Sequence, residues 1–334
     1  MEIISDPQQI NFFKLEKFVF QHPNGNFFQS MDAFRFYQSV DYYNPILIVA
    51  MDNEDVVGSL LAIIISEGKG LKGFFSRRGI IWGGPLVEDE NADVYYLILN
   101  EFNKIAQKKA IYTQFRNLYD LNREKLNFSR QNWLFQEHLN IIIDLSQSEE
   151  NLWKDVHSKR RNEIRRAEKE GTSFRVLENK SELSVTYTIL KEVYDRAKLP
   201  LPDYRFFETA FDLLAPNNFK IFLGLNEGKI IGTMYILCFK DIMYDWFAGS
   251  YQAYYKKYPN DLIPWKVFLW GKKNGYNEFD FGGAGKPGVP YGVRDYKKKF
   301  GGKFVNYGRF EKIHNPFLYQ FGKLGLKAWQ RFKR

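Results

Sequence analysis

Phe279-Asp-Phe-Gly-Gly283, running on to Asp295-Tyr-Lys-Lys-Lys-Phe-Gly-Gly302, sets a short apolar strand, a glycine-rich bend and a lysine cluster close together in the chain. Phe279 and Phe281 alternate with Asp280 as strand residues do, and Gly282, Gly283 and Gly285 permit backbone turns that a Cβ forbids. Lys297, Lys298 and Lys299 are expected to project over that bend, so the segment reads as a holder of an anionic ligand. Gly282-Gly-Ala-Gly-Lys286 is not a nucleotide P-loop, because Pro287 stands where a Ser or Thr hydroxyl must reach magnesium.

Working outward, a helical period over Leu262 to Asn274 ends at Gly275, a suitable C-cap, and leads into a strand from Tyr276 to Phe281. Lys220 to Leu225, Gly228 to Phe239 and Asp241 to Gly249 predict a meander with turns at Asn226-Glu227-Gly228 and Lys240-Asp241. Before it come a helix from Glu150 to Glu170, a strand from Ser173 to Leu177, and helices over Glu182 to Arg196 and Asp203 to Leu214. The N-terminal half follows a similar plan. Strands are expected at Pro45 to Ala50, Val56 to Ser66, Gly79 to Trp82, Ala110 to Phe115 and Leu139 to Leu145, with a helix from Asp93 to Lys109. The mixture predicts an α+β fold in two tandem domains, 1–146 and 147–315, followed by a basic amphipathic helix over 316–334.

The chain has 334 residues, 45% of them apolar, which is ample for ordinary buried cores. A formal charge of +9 favours an acidic partner such as phosphates, nucleic acid or an anionic membrane face, with a solvated basic surface as the plainer reading. The 31 Phe and 21 Tyr suggest half-buried grooves in which a ring packs while a hydroxyl stays wet. Cys238 is the only cysteine, so no internal disulfide forms, and its apolar run Met234 to Phe239 marks it as a small core residue. Four scattered His and no cysteine pair lack the spacing of a zinc site, and no bound metal is expected. The N-terminus lacks a signal peptide's basic start and apolar run, and no stretch reaches the roughly 18 apolar residues that span a bilayer. A cytoplasmic protein is expected.

On the helix from Glu150 to Glu170, Leu152, Trp153, Val156, Ile164 and Ala167 share one face, and Lys159, Arg161, Arg165, Arg166 and Lys169 the other. Arg160 falls among the apolar residues. A guanidinium there needs a carboxylate, phosphate or carbonyl, so it is either a ligand contact or half of an ion pair with an acidic core residue. Asp280 is read as a strand-end carboxylate orienting the glycine bend rather than as a proton acceptor.

Trp153-Lys-Asp-Val-His-Ser-Lys-Arg-Arg-Asn-Glu-Ile-Arg-Arg-Ala-Glu-Lys-Glu-Gly171, together with Asp280-Phe-Gly-Gly and Tyr296-Lys-Lys-Lys-Phe-Gly-Gly302, resembles the Fem family of nonribosomal peptidyl transferases. His22-Pro-Asn-Gly-Asn-Phe-Phe-Gln-Ser30 also looks like that family's N-terminal segment. The resemblance implies two tandem acetyltransferase-like (GNAT-like) domains that move an amino acid from aminoacyl-tRNA onto an amine of a peptidoglycan precursor, lipid-linked or nucleotide-linked. It places Lys297 at the transferring carbonyl and Tyr296 as a ring for the terminal adenine. It gives Arg196 to the precursor's phosphates, although Ala-Lys-Leu-Pro follows it where Asp-Gly-Phe is usual. Arg160, Arg161, Gly282, Gly283, Phe300 and Gly301 lie within the matching motifs and join the candidate substrate-binding set. A fixed ammonium beside an ester under attack lowers the barrier by stabilising the tetrahedral oxyanion.

The basic tail, with Phe317, Phe321, Leu324 and Trp329 among Lys323, Lys327 and Arg331, suits either its own domain or the inner membrane leaflet beside a lipid-linked acceptor. Two alternatives remain. An acyl-CoA-dependent N-acyltransferase shares the fold, but after Met243 to Gly249 the chain offers Ser250-Tyr-Gln-Ala-Tyr-Tyr-Lys-Lys-Tyr-Pro-Asn260 in place of a glycine-rich pyrophosphate loop. A non-catalytic RNA-binding protein would account for the charge and the tyrosines, but not for lysines beside a strand and a glycine bend.

Overall fold

The protein is described by a computed structural model covering residues 1–121 and 124–322. It divides into two compact units, one formed by 1–137 with the segment from Tyr307 onward, the other by 138–306. Each unit is a mixed sheet with helices, an α+β architecture.

In the first unit the strands Glu2–Ile4, Tyr43–Asp52, Asp55–Ile65 and Arg78–Trp82 form an antiparallel series. The helix Ala92–Lys109 crosses over, burying Val94, Ile98, Leu99, Phe102 and Ala106 against the sheet. It delivers Tyr112–Arg116 parallel to Arg78–Trp82, with Arg309–Ile313 and Leu134–Gln136 beyond.

The second unit repeats that order. Thr172–Val176, Phe219–Asn226, Lys229–Phe239 and Ile242–Ser250 are antiparallel neighbours, and the helix Pro259–Lys273 crosses to Glu278–Gly283, which lies parallel to Ile242–Ser250. Asn140–Asp144 and Lys303–Val305 complete the sheet. Strand alternation explains the core: Phe279 and Phe281 point toward Phe268 of the crossover helix, at 4.9 and 5.8 Å between ring centroids, and Asp280 points to the other face. Cys238 is a buried member of the same core.

Three expectations are corrected. The strand around residues 139–145 does not close the first unit; its ladder runs to Glu278–Gly283 and Lys303–Val305. The first unit takes its counterpart, Arg309–Ile313, from beyond the second, so the first sheet is completed by a strand that follows the whole second unit in the chain. The helix expected from Glu150 to Glu170 is two, Glu149–Asp155 and Ser158–Lys169. His157 ends the first because its backbone N–H bonds to Lys299 O (2.9 Å), and it caps the second by accepting Lys159 N–H on Nδ1 (3.2 Å). Of the helix expected over 316–334, residues 316–322 are helical and the rest lie outside the described residues.

The two sequence motifs behind the family resemblance are joined at that break. Gly301, at φ +87°, leaves only 2.8 Å between an added Cβ and Asp155 Cβ, and 3.1 Å to Asp155 O. Gly301→Ala is therefore expected to lower the unfolding free energy in urea by about 2 kcal/mol. Gly292→Ala, in open space at ordinary φ, should change it by less than about 0.5 kcal/mol.

Candidate functional site

The parallel strands Ile242–Ser250 and Glu278–Gly283 pair only as far as Tyr244 and Asp280 and then part. On its other edge Glu278–Gly283 loses register with Asn140–Asp144 between Asp280 and Gly283. Phe281 and Gly282 are thereby released from both ladders, and Gly282 takes φ +74°, the left-handed region that glycine tolerates. A buried carbonyl without a ladder partner must be satisfied some other way. Lys297, from the short helix Gly292–Lys297, does this: its ammonium donates to Phe281 O.

The same ammonium lies 3.2 Å from Asp245 Oδ2, and both side chains are close to 90% buried, at 12% and 10% exposure. Asp245 is the first residue past the end of the parallel pairing. A bulge follows it, since Ile236 pairs with Asp245 and Tyr235 with Phe247, leaving Trp246 extra. Bulges of this kind re-aim a side chain and end a ladder. Asp280 accepts the Gly282 N–H on Oδ1 at 2.7 Å, the orienting role expected of it, with Asn140 Nδ2 at 3.5 Å from both of its oxygens. In open α/β sheets ligands bind outside the carboxyl ends of parallel strands, and the parallel pair of this sheet parts at such ends.

Burial dominates the electrostatics here. It raises the Asp245 carboxyl above its usual range, against the pull of the Lys297 charge. It raises Asp280 to about 6, opposed by the Gly282 N–H, Lys297 and Asn140 and reinforced by Asp245. Tyr194, on the helix Leu183–Ala197, packs on Phe247 at 5.8 Å; burial, with added repulsion from Asp245 and Tyr291, raises its phenol.

The other candidate residues separate into distinct roles. Gly283 closes the bulge by pairing with Asn140. Tyr296 is not a free stacking platform: its hydroxyl donates to Asn260 O at 2.5 Å and its ring packs on Phe300 at 5.4 Å. Phe300 is a core residue. Arg160 takes the ion-pair alternative, bound to Asp261 and 3.3 Å from Glu163, with its guanidinium 4.8 Å from the rings of both Tyr296 and Phe300. Arg161 caps a helix end, donating to Trp153 O, Lys154 O and Val156 O at 3.2, 3.0 and 2.8 Å. Arg196 pairs with Glu192 at 3.2 Å and donates to the Tyr255 hydroxyl at 2.5 Å. Lys298 turns away to Asp295 at 2.8 Å, while Lys297 fills the bend.

The crossover helix Pro259–Lys273 begins beside this region, yet its N-terminus is not an anion cradle. Pro259 lacks an N–H, and Asp261 in the first turn already supplies the negative charge, held by Arg160. A groove of about 520 Å³ lies among the helices, with Trp153, Ile164, Trp265 and Leu269 in its lining. Among its rim charges Lys266 pairs with Glu168 at 2.7 Å and Arg165 lies over Trp153 at 5.3 Å, and no candidate residue lines it. Among the described residues no group of His, Cys, Asp and Glu is arranged to hold a metal, and no helix is long and apolar enough to cross a membrane.

Sequence reasoning missed Asp245. Its signal was one carboxylate inside the otherwise apolar run Ile242-Met-Tyr-Asp-Trp-Phe-Ala248.

Between the ordinary carboxyl value of 3.8 and about 6, the folded chain holds a proton on Asp280 that the unfolded chain has released, so this group's contribution falls as pH rises through that window. Asp280→Asn keeps an acceptor for the Gly282 N–H. Urea unfolding should show it about 2 kcal/mol more stable than the parent at pH 7, with the difference shrinking toward pH 4.

Residues 156–298 match the acetyltransferase (GNAT) domain family. The chain is similar in structure to FemX, with 16% sequence identity, 96% of this chain and 99% of that chain covered, and a TM-score of 0.75. L-PGS from Bacillus licheniformis is 18% identical, with 96% and 97% covered and a TM-score of 0.58. A tandem GNAT protein from the clavulanic acid biosynthesis pathway is 8% identical, with 94% and 99% covered and a TM-score of 0.61. At these identities the shared property is the fold, two tandem GNAT-like domains. No curated protein matches the chain.

Proposed function

Starting from a GNAT acetyltransferase domain within a tandem GNAT fold, we propose that this protein is an aminoacyltransferase of cell-envelope synthesis. It moves an amino acid from aminoacyl-tRNA to an amine of a peptidoglycan precursor on the cytoplasmic side of the membrane. The observation that carries this reading is the ammonium of Lys297, held in the crevice between parting strands by Asp245 and Phe281 O. The likeness to FemX and L-PGS supports it.

In this mechanism the acceptor's neutral amine attacks the ester carbonyl of the aminoacyl end. The C–N bond forms, the carbonyl oxygen becomes an oxyanion, and Lys297 stabilises it with a charge already in place. Collapse breaks the bond from carbon to the ribose oxygen, and the proton lost by the amine ends on that leaving oxygen. Asp245 is a positioning residue, fixing the ammonium from 3.2 Å away.

An acyl-CoA donor is the second reading, favoured by the GNAT domain match itself. Against it stands the helix N-terminus at Pro259, where pyrophosphate would meet Asp261 rather than free N–H groups. Incubating the protein with a precursor amine and either labelled aminoacyl-tRNA or labelled acyl-CoA separates the two. Transfer from the tRNA supports the proposal, and transfer from CoA alone replaces it.

Lys297→Met should lower the rate of the chemical step by about a hundredfold or more while changing acceptor binding by less than threefold. Asp245→Asn should lower kcat by about tenfold with KM little changed, because it loosens the ammonium without touching substrate. Unchanged turnover in Lys297→Met removes the lysine from the mechanism.

A further inference from the structure

At one end of the first unit's sheet, Tyr43, Ile65, Arg78, Tyr112 and Ile313 stand in register across five strands. Two segments extend from this rim. One is the helix Gly70–Ser76, which joins the strands Asp55–Ile65 and Arg78–Trp82; the other is the helical stretch 316–322. Both are tied to Ile111, whose N–H donates to Arg77 O at 3.0 Å and whose carbonyl accepts His314 N–H at 2.9 Å and Asn315 N–H at 3.0 Å.

Large apolar side chains on these segments face solvent: Leu71 is 78% exposed, Phe74 44%, Phe75 46%, Phe317 69% and Phe321 54%. Single exposed apolar residues are ordinary, but five on two adjacent segments mark an interaction surface. Cations accompany them. Lys69, Lys72, Lys108 and Lys109 are exposed, and Arg77 lies 4.2 Å over the Phe74 ring. Among the described residues, the acidic groups near this rim include Glu67, paired with Arg78 at 3.1 Å, Glu311, which accepts the Tyr319 hydroxyl at 2.8 Å, and the exposed Asp41.

We infer that this end of the first unit docks on an anionic lipid bilayer, with Leu71, Phe74 and Phe75 entering the headgroup region and the lysines meeting lipid phosphates. The charge pattern selects lipid over protein. Lysine is depleted at the centre of protein interfaces, whereas alternation of lysines with large apolar side chains suits a charged interface whose interior is hydrocarbon. The display is also pre-set. Glu67 N–H bonds to Ser76 Oγ at 2.7 Å and Arg77 Nε to Phe74 O at 3.2 Å, closing the loop behind its apolar side chains. Gly73 packs so closely on Gly68 O that a Cβ there would collide with it. This inference is independent of the proposed reaction and deals only with where the first unit sits.

Co-sedimentation of the full chain with vesicles tests it, using phosphatidylcholine alone and an equal mixture of phosphatidylcholine and phosphatidylglycerol. The protein is expected to bind the mixed vesicles at least tenfold more tightly than the neutral ones and to release in high salt. Leu71→Asp/Phe75→Asp and Lys69→Glu/Lys72→Glu, all at exposed positions, should each weaken binding about tenfold with unchanged thermal melting. Absence of binding to the mixed vesicles overturns the inference. So does binding by both variants equal to the parent's, which moves the contact elsewhere in the chain. A concentration-dependent increase in mass that Leu71→Asp/Phe75→Asp abolishes while vesicle binding persists would assign the surface to a second copy and would likewise overturn it.

Discussion

One buried ammonium holds the second unit's sheet open. Two parallel strands that separate inside a protein leave backbone groups without ladder partners, and such groups must be satisfied or the strands close up. Lys297 answers both needs by donating to the Phe281 carbonyl and pairing with Asp245. A buried charge pair costs desolvation that is offset only by good geometry and additional hydrogen bonds, so such a pair is weak evidence for stability. Its placement where the parallel pair parts is what the proposed function draws on.

The first unit provides an internal comparison. Its parallel strands, Arg78–Trp82 and Tyr112–Arg116, stay paired over five residues, whereas those of the second unit pair over three. The same order of strands and crossover helix thus serves two ends: one sheet zipped through its parallel pair, the other parted by a bulge at Trp246, an irregular register after Asp280 and a lysine between. Around the crevice, residues that looked ready for a ligand brace the scaffold instead. Arg160 joins Asp261 to the rings of Tyr296 and Phe300, and Arg161 caps the helix that Gly301 packs against, so the helix motif and the C-terminal motif hold each other in place.

Local pattern carried most of the elements into view from the sequence. Alternating apolar residues marked the long strands, and the 3.6-residue period marked the helices Ala92–Lys109 and Pro259–Lys273, because those signals are written in neighbouring residues. What failed to show was set by distant partners. Nothing near Val156 and His157 announces a break; a carbonyl at Lys299 imposes it. Ile141 and Ile143 are as apolar as residues of either core, and only pairing decides which sheet they join. In the site, Lys297 stood out through its motif and its glycine bend, while Asp245 did not, since a bulge that turns a carboxylate toward a lysine distant in the chain leaves no periodic trace. Arg160 was recognisable as a buried cation, but its choice of Asp261 over a ligand was not.

The account rests on Lys297 meeting the carbonyl that is transferred. The most direct measurement is a crystal structure of the protein with a phosphonate analogue of the tetrahedral intermediate, built on a 3′-aminoacyl-adenosine end. The account predicts the phosphoryl oxygen within hydrogen-bond distance of Lys297 Nζ, in the crevice beyond Tyr244 and Asp280. An analogue bound elsewhere, with Lys297 still paired only to Asp245 and Phe281 O, would contradict it.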